Sequence, residues 1–256
     1  MDLVDTHCHL DAPEFDPDRA AVVERARERG VGRQVVPAVT EASWPKLRDV
    51  CARGPGLYPA YGLHPTFLVH HRREHLDELR LWVEREQPLA IGECGLDYFI
   101  DGLDRDEQSH YFEGQLRVAR DFDLPLIVHA RRAVDDVLAA IRRFAPLRGV
   151  VHSFSGSRQQ AEQLWDQGFL LGLGGPVTYE RAQRLRRLAT TMPLEHLLLE
   201  TDAPDQPDAS IRGQRNEPAR LGYVAQVIAG LRGVEPDVVA EATSRNAERL
   251  FKLPAH

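Results

Sequence analysis

The chain has 256 residues, 43% hydrophobic and 28% charged, enough apolar content for a substantial core with an ordinary charged share. No stretch approaches the roughly 18 apolar residues of a membrane span, and the acidic start Met1-Asp2-Leu3-Val4-Asp5 lacks the apolar run of a secretory signal. A net charge of −7 argues against broad adhesion to nucleic acid, although a local positive site stays compatible with it.

Cys8, Cys51 and Cys94 are odd in number and widely spaced, which argues against a disulfide framework and predicts a cytoplasmic protein. Eight short apolar runs follow in order: 3–10, 33–39, 57–65, 89–97, 124–131, 149–156, 169–175 and 196–204. Near-continuous apolar strands are what a parallel sheet covered on both faces requires. Amphipathic stretches separate them. PDRAAVVERARERG begins with proline and stops at Gly30, the usual helix punctuation; DEQSHYFEGQLRVARDF and SRQQAEQLWDQG are further helices. Residues 216–231 and 235–250 read as closing helices.

This alternation predicts an α/β fold, a (β/α)8 TIM barrel, as one domain over 1–256. A doubly wound open sheet is the rival, but no glycine-rich phosphate fingerprint follows the first strand.

A barrel places its site at the C-terminal ends of its strands. There the chain carries His7 and His9 on the first strand, His64 on the third and Glu93 on the fourth. The fifth ends with His129, the sixth with His152, the eighth with Glu200 and Asp202. Side chains at i and i+2 share a face, so His7 and His9 converge while Cys8 faces away. Imidazoles crowded beside carboxylates need a cation, and zinc, manganese or iron suits that donor set. The expected division gives His7, His9 and Asp202 one ion, His129 and His152 a second, with Glu93 bridging.

Two such ions lower the pKa of a shared water toward about 7, and the resulting hydroxide is the expected nucleophile. Asp202 is the expected proton acceptor. His64 and Glu200 would bind substrate or a third ion. Arg131, Arg212 and Arg215 are candidate substrate contacts, able to make the mouth locally positive.

The motifs D-T-H-C-H-L, Y-G-L-H-P, I-G-E-C-G-L-D-Y, L-P-L-I-V-H-A-R, H-S-F-S-G, E-T-D-A-P and Q-R-N-E-P, with the terminal R-N-A-E-R-L-F, span nearly the whole chain. In them the sequence resembles the TatD family of metal-dependent hydrolases, and in G-G-P-V-T-Y and E-T-D-A-P-D-Q-P its YjjV-like branch. The resemblance implies a deoxyribonuclease acting on DNA with divalent zinc, manganese or magnesium. It implies His7, His9, Glu93, His129, His152 and Asp202 as metal ligands, His64 and Glu200 as further site residues, and Asn216 with Pro218 as a structural signature. Cys94 departs mildly from the aliphatic residue common after the glutamate and reads as packing.

Two other enzyme classes fit the same donors: an ester hydrolase such as a D-aminoacyl-tRNA deacylase, and a small-molecule amidohydrolase. A version bridged by carboxylated lysine is excluded, because neither Lys46 nor Lys252 lies at a strand end. A non-catalytic metal-binding module is the last alternative, disfavoured by the intact ligand set. The remaining histidines receive no role; His70, His71 and His75 read as a solvated helix start. Trp44, Trp82 and Trp165 read as packing, since a base-stacking platform would need aromatic residues near the strand tips. The chain is expected to act as a monomer.

Overall fold

The computed structural model describes residues 1–254. Eight strands form one sheet in the order β1 to β8: β1 (Leu3–Asp5), β2 (Val31–Pro37), β3 (Leu57–Tyr61), β4 (Ala90–Asp97), β5 (Leu126–Arg131), β6 (Gly149–Val151), β7 (Phe169–Leu173) and β8 (Leu197–Leu199). Helices α1 (Arg19–Glu28), α2 (Trp44–Ala52), α3 (His75–Glu86), α4 (Arg105–Asp121), α5 (Val134–Phe144), α6 (Arg158–Trp165) and α7 (Gln183–Thr191) alternate with them. The helices α8 (Leu221–Arg232) and α9 (Pro236–Phe251) follow. No helix among the described residues is long and apolar enough to cross a membrane.

The chain divides into two compact units. The first comprises 1–36, 50–58 and the chain from Leu171 onward. In it β1 pairs with β2 in parallel, Asp5 opposite Gln34, and β7 pairs with β8, Leu173 opposite Leu199. Its strands are largely buried, and β8 is three consecutive leucines at 1% exposure or less.

The second unit comprises 37–49 and 59–170. There β3, β4, β5 and β6 pair in parallel, with Gly95 opposite His129. Gly95 has φ +138, and a Cβ there would lie 2.0 Å from the His129 carbonyl oxygen. Only glycine allows β4 to pass His129 this closely.

Each apolar run produces a strand, but the runs at 3–10, 57–65, 149–156 and 196–204 continue beyond their strands, which stop at Asp5, Tyr61, Val151 and Leu199. The overrun lies at the C-terminal end each time, where polar side chains take over.

The helix caps account for the intervening starts. Ser157 and Gln160 form a reciprocal capping box before α6, and Asp104 accepts from the N–H groups of Asp106 and Glu107 to open α4. Of the histidines after β3, His70 is exposed as expected, whereas His71 and His75 depart from expectation. His75 is 1% exposed and opens α3, and His71 Nε2 donates to the His64 carbonyl at 2.9 Å. Charged neighbours in HHRREH suggest solvation, yet the turn folds these rings inward. The tryptophans behave as packing groups where contacts are seen: Trp44 is 1% exposed and its Nε1 donates to the Gly62 carbonyl. His256 lies outside the described residues.

Candidate functional site

Each unit carries a group of metal-capable donors at or near the C-terminal ends of its strands. In the first, His7 and His9 lie just past the end of β1 rather than on it. Strand-like pairing continues nonetheless: Cys8 N donates to the Val35 carbonyl at 3.1 Å and His9 N to that of Ala203 at 2.7 Å. The rings therefore share a face, Nε2 to Nε2 at 3.2 Å, while Cys8 Sγ turns toward Val35.

Asp202 Oδ1 stands 3.5 Å from both ring nitrogens. It sits just past β8 with φ +58, held by its N–H to the His7 carbonyl at 2.8 Å. A left-handed aspartate costs roughly 1 kcal/mol and persists where its surroundings fix it. Gln206 donates to the other carboxylate oxygen. Beneath them, Asp5 clamps the two strand ends, accepting from Thr201 N at 3.0 Å and Thr201 Oγ1 at 2.6 Å. Burial pushes the Asp5 carboxyl up to about 7 despite these bonds. Asn216, 1% exposed, donates to the carbonyls of Thr201 and Asp205 at 2.8 Å each and so braces the Asp202 loop.

The three donor atoms fit a cation. A tetrahedral ion with ligand bonds of ~2.05 Å separates its ligands by about 3.3 Å, close to the 3.2 and 3.5 Å seen here.

In the second unit, Glu93 is the hub. Its Oε1 lies 3.0 Å from His64 Nε2, 3.1 Å from His129 Nδ1 and 2.7 Å from His152 Nε2. Glu93 is 1% exposed within β4, and an isolated carboxylate there would be costly. Two of the imidazoles have their own support. His64, just past β3, uses Nδ1 to accept from Thr66 N at 3.2 Å, which leaves Nε2 facing Glu93. His129, on β5, has Nε2 2.9 Å from Asp97 Oδ2, which leaves Nδ1 toward Glu93 and His152. A carboxylate behind a ligating imidazole is the arrangement that fixes its tautomer at metal centres.

The titration behaviour follows the packing. Burial lowers the His64 pKa and outweighs the pull of Glu93, which favours the neutral ring. Burial would also lower His129, but the hydrogen bonds to Asp97 and Glu93 overcome it and raise it. For Asp97, burial raises the pKa, yet bonds from His129 and from the N–H groups of Phe99 and Ile100 hold it below the usual range.

Glu200 is 1% exposed, against Gly172 of β7, where a Cβ would lie 2.1 Å from its Oε2. The seventh strand, without an ionisable residue, supplies this glycine cradle. Cys94, turned toward the Ile127 carbonyl, packs away from the donors.

The arginines divide. Arg131, exposed and two residues beyond His129, lies with its guanidinium 3.6 Å from the centre of the Phe99 ring; Arg132 lies 4.6 Å from it. Arg212 is exposed after a short turn. Arg215 is ion-paired with Asp18 at 2.7 Å and lies over Phe15.

Sequence reasoning missed Asp97, Gln206, Asp5 and Thr201. Asp97 and Asp5 had a signal: Asp97 lies four residues after Glu93 and Asp5 two before His7, even spacings that share a face.

The family model described as TatD related DNase matches residues 4–252. The chain belongs to the TatD family of metal-dependent hydrolases. It is 40% identical over 255 residues to the metal-dependent hydrolase YjjV of Escherichia coli (strain K12), covering 98% of each chain. It is 35% identical over 261 residues to the 3'-5' ssDNA/RNA exonuclease TatD of Erwinia billingiae, covering 99% of this chain and 100% of that one. The crystal structure of Escherichia coli YjjV, a TatD homologue, matches with a TM-score of 0.95 at 39% identity, covering 98% of each chain. This TatD-family hydrolase accordingly has the (β/α)8 TIM-barrel fold.

Proposed function

We propose that each donor group holds one divalent ion, zinc, manganese or magnesium, and that the protein hydrolyses phosphodiester bonds of single-stranded DNA, releasing nucleotides from an end. The observation that carries this reading is Glu93 Oε1 within 2.7 to 3.1 Å of three imidazole nitrogens, one of them backed by Asp97. A full-length relative named as a 3'-5' ssDNA/RNA exonuclease supports the substrate class.

His7, His9 and Asp202 would hold one ion; Glu93, His129 and His152 the other. When bound, such ions polarise a phosphoryl oxygen and bring the pKa of a water toward about 7. The chain's own groups do the rest. Asp202, whose Oδ2 is oriented by Gln206, accepts the proton of the attacking water. Arg131, held over Phe99, contacts the phosphate; Arg212 is a second cation for the strand. Arg215 we read as structural, because Asp18 and Glu217 engage it. His64 orients Glu93; His64 and Glu200 are each candidates to take substrate or a further ion. The three free, buried thiols suit a reducing cytoplasm, and we take the protein to be a monomer.

Incubation with a 5'-labelled single-stranded oligonucleotide under magnesium, manganese or zinc tests this, with D-aminoacyl-tRNA as a parallel substrate. Stepwise shortening of the oligonucleotide is the expected result. An intact oligonucleotide under every metal overturns the nuclease reading, and release of the amino acid alone would transfer the activity to the carboxylic ester.

A further inference from the structure

A third donor group lies in the second unit, apart from the residues assigned above: Glu41 in the turn after β2, with His75 and Glu78 at the start of α3. Their ligand atoms all lie within 4.8 Å of one another. His75 and Glu78 are three apart on one helix and so share a face.

The imidazole makes this more than an acidic surface. His75 is 1% exposed. Its Nδ1 accepts the Arg72 N–H at 3.3 Å, while its Nε2 is buried and makes no hydrogen bond. A buried polar atom left without a partner is costly, and a cation is one partner that removes this cost.

We propose that Glu41, His75 and Glu78 form a separate divalent-cation site, matched best by zinc. One imidazole nitrogen and two carboxylates are zinc donors, leaving a fourth position to water. A helix N-terminus by itself disfavours a cation; the two glutamates offset that, so both are needed. Arg72, 4.0 Å from Glu78 and with its side chain 64% exposed, is free to swing away when the ion enters. The bound ion ties the turn after β2 to α3. It is remote in role from hydrolysis, and the proposal does not depend on the substrate.

The test counts zinc. Protein stripped by chelation is reloaded with excess zinc, passed through a desalting column and analysed by mass spectrometry for metal per chain. Wild type should retain one ion more than Glu78→Gln, Glu41→Gln and His75→Ala, with oligonucleotide hydrolysis unchanged in the folded variants. Added zinc should also raise the melting temperature of wild type more than that of Glu78→Gln. If His75→Ala does not fold, the two exposed-side glutamate variants decide. Equal zinc content in wild type and folded variants overturns the proposal.

Discussion

Asp97 Oδ2 lies 2.9 Å from Nε2 of His129, and this one contact settles which nitrogen of that ring is available as a ligand. With Nε2–H directed at the carboxylate, Nδ1 is the nitrogen that faces Glu93 and His152. Replacing Asp97 with asparagine keeps the shape and removes the charge that favours this tautomer. Metal affinity should fall by about 10- to 100-fold, measured by competition against a chromophoric chelator. An unchanged affinity would assign Asp97 to loop packing, where its bonds from Phe99 and Ile100 already place it.

Phe99 and Arg131 give a separable effect on substrate. The ring is 43% exposed, and the guanidinium lies 3.6 Å from its centre. An exposed cation–π contact contributes about 0.5–1 kcal/mol, so Phe99→Ala should raise KM for the oligonucleotide about two- to fivefold while leaving kcat near wild type. Phe99→Tyr should restore the wild-type KM. A fall in kcat alone would contradict a positioning role.

Most of the fold was legible because strand and helix periods differ and the punctuation is strong. The strand ends were not. His7 and His9 were paired correctly by the i, i+2 argument, although β1 stops at Asp5. What keeps them on one face is backbone pairing of Cys8 and His9 with Val35 and Ala203, a long-range fact that no local pattern encodes. Glu93, His129 and His152 were legible through residue type on or beside the strands, although Glu93 lies midway along β4 rather than at its end, while Gln206 and Thr201 were not, since polar residues in loops carry no period. Arg215 and Arg131 were alike candidates from sequence; only folding shows that Asp18 engages Arg215. His75 was misjudged for a similar reason, its charged neighbours hiding a buried ring.

The Asp18 network gives a pH prediction away from the donor groups. Hydrogen bonds from Arg215 hold the Asp18 carboxyl down to about 2, with Arg25 adding to the effect. A folded-state pKa below the unfolded value of about 3.9 stabilises the protein above that unfolded value, and the contribution is lost as pH falls toward 2. The melting temperature of Asp18→Asn should therefore lie below wild type at pH 7, with the gap narrowing below about pH 4. A gap constant from pH 7 to pH 3 would contradict this.

Glu93→Ala tests the central claim most directly, since it removes the carboxylate that touches three imidazoles at once. Its single-stranded oligonucleotide hydrolysis and its bound metal should be compared with those of wild type at saturating manganese. The account predicts a rate lower by at least about 100-fold together with loss of bound metal. Loss of one ion would place Glu93 on its own cluster, and loss of two would support bridging. A folded Glu93→Ala protein that keeps its full metal content and its wild-type rate would contradict the account.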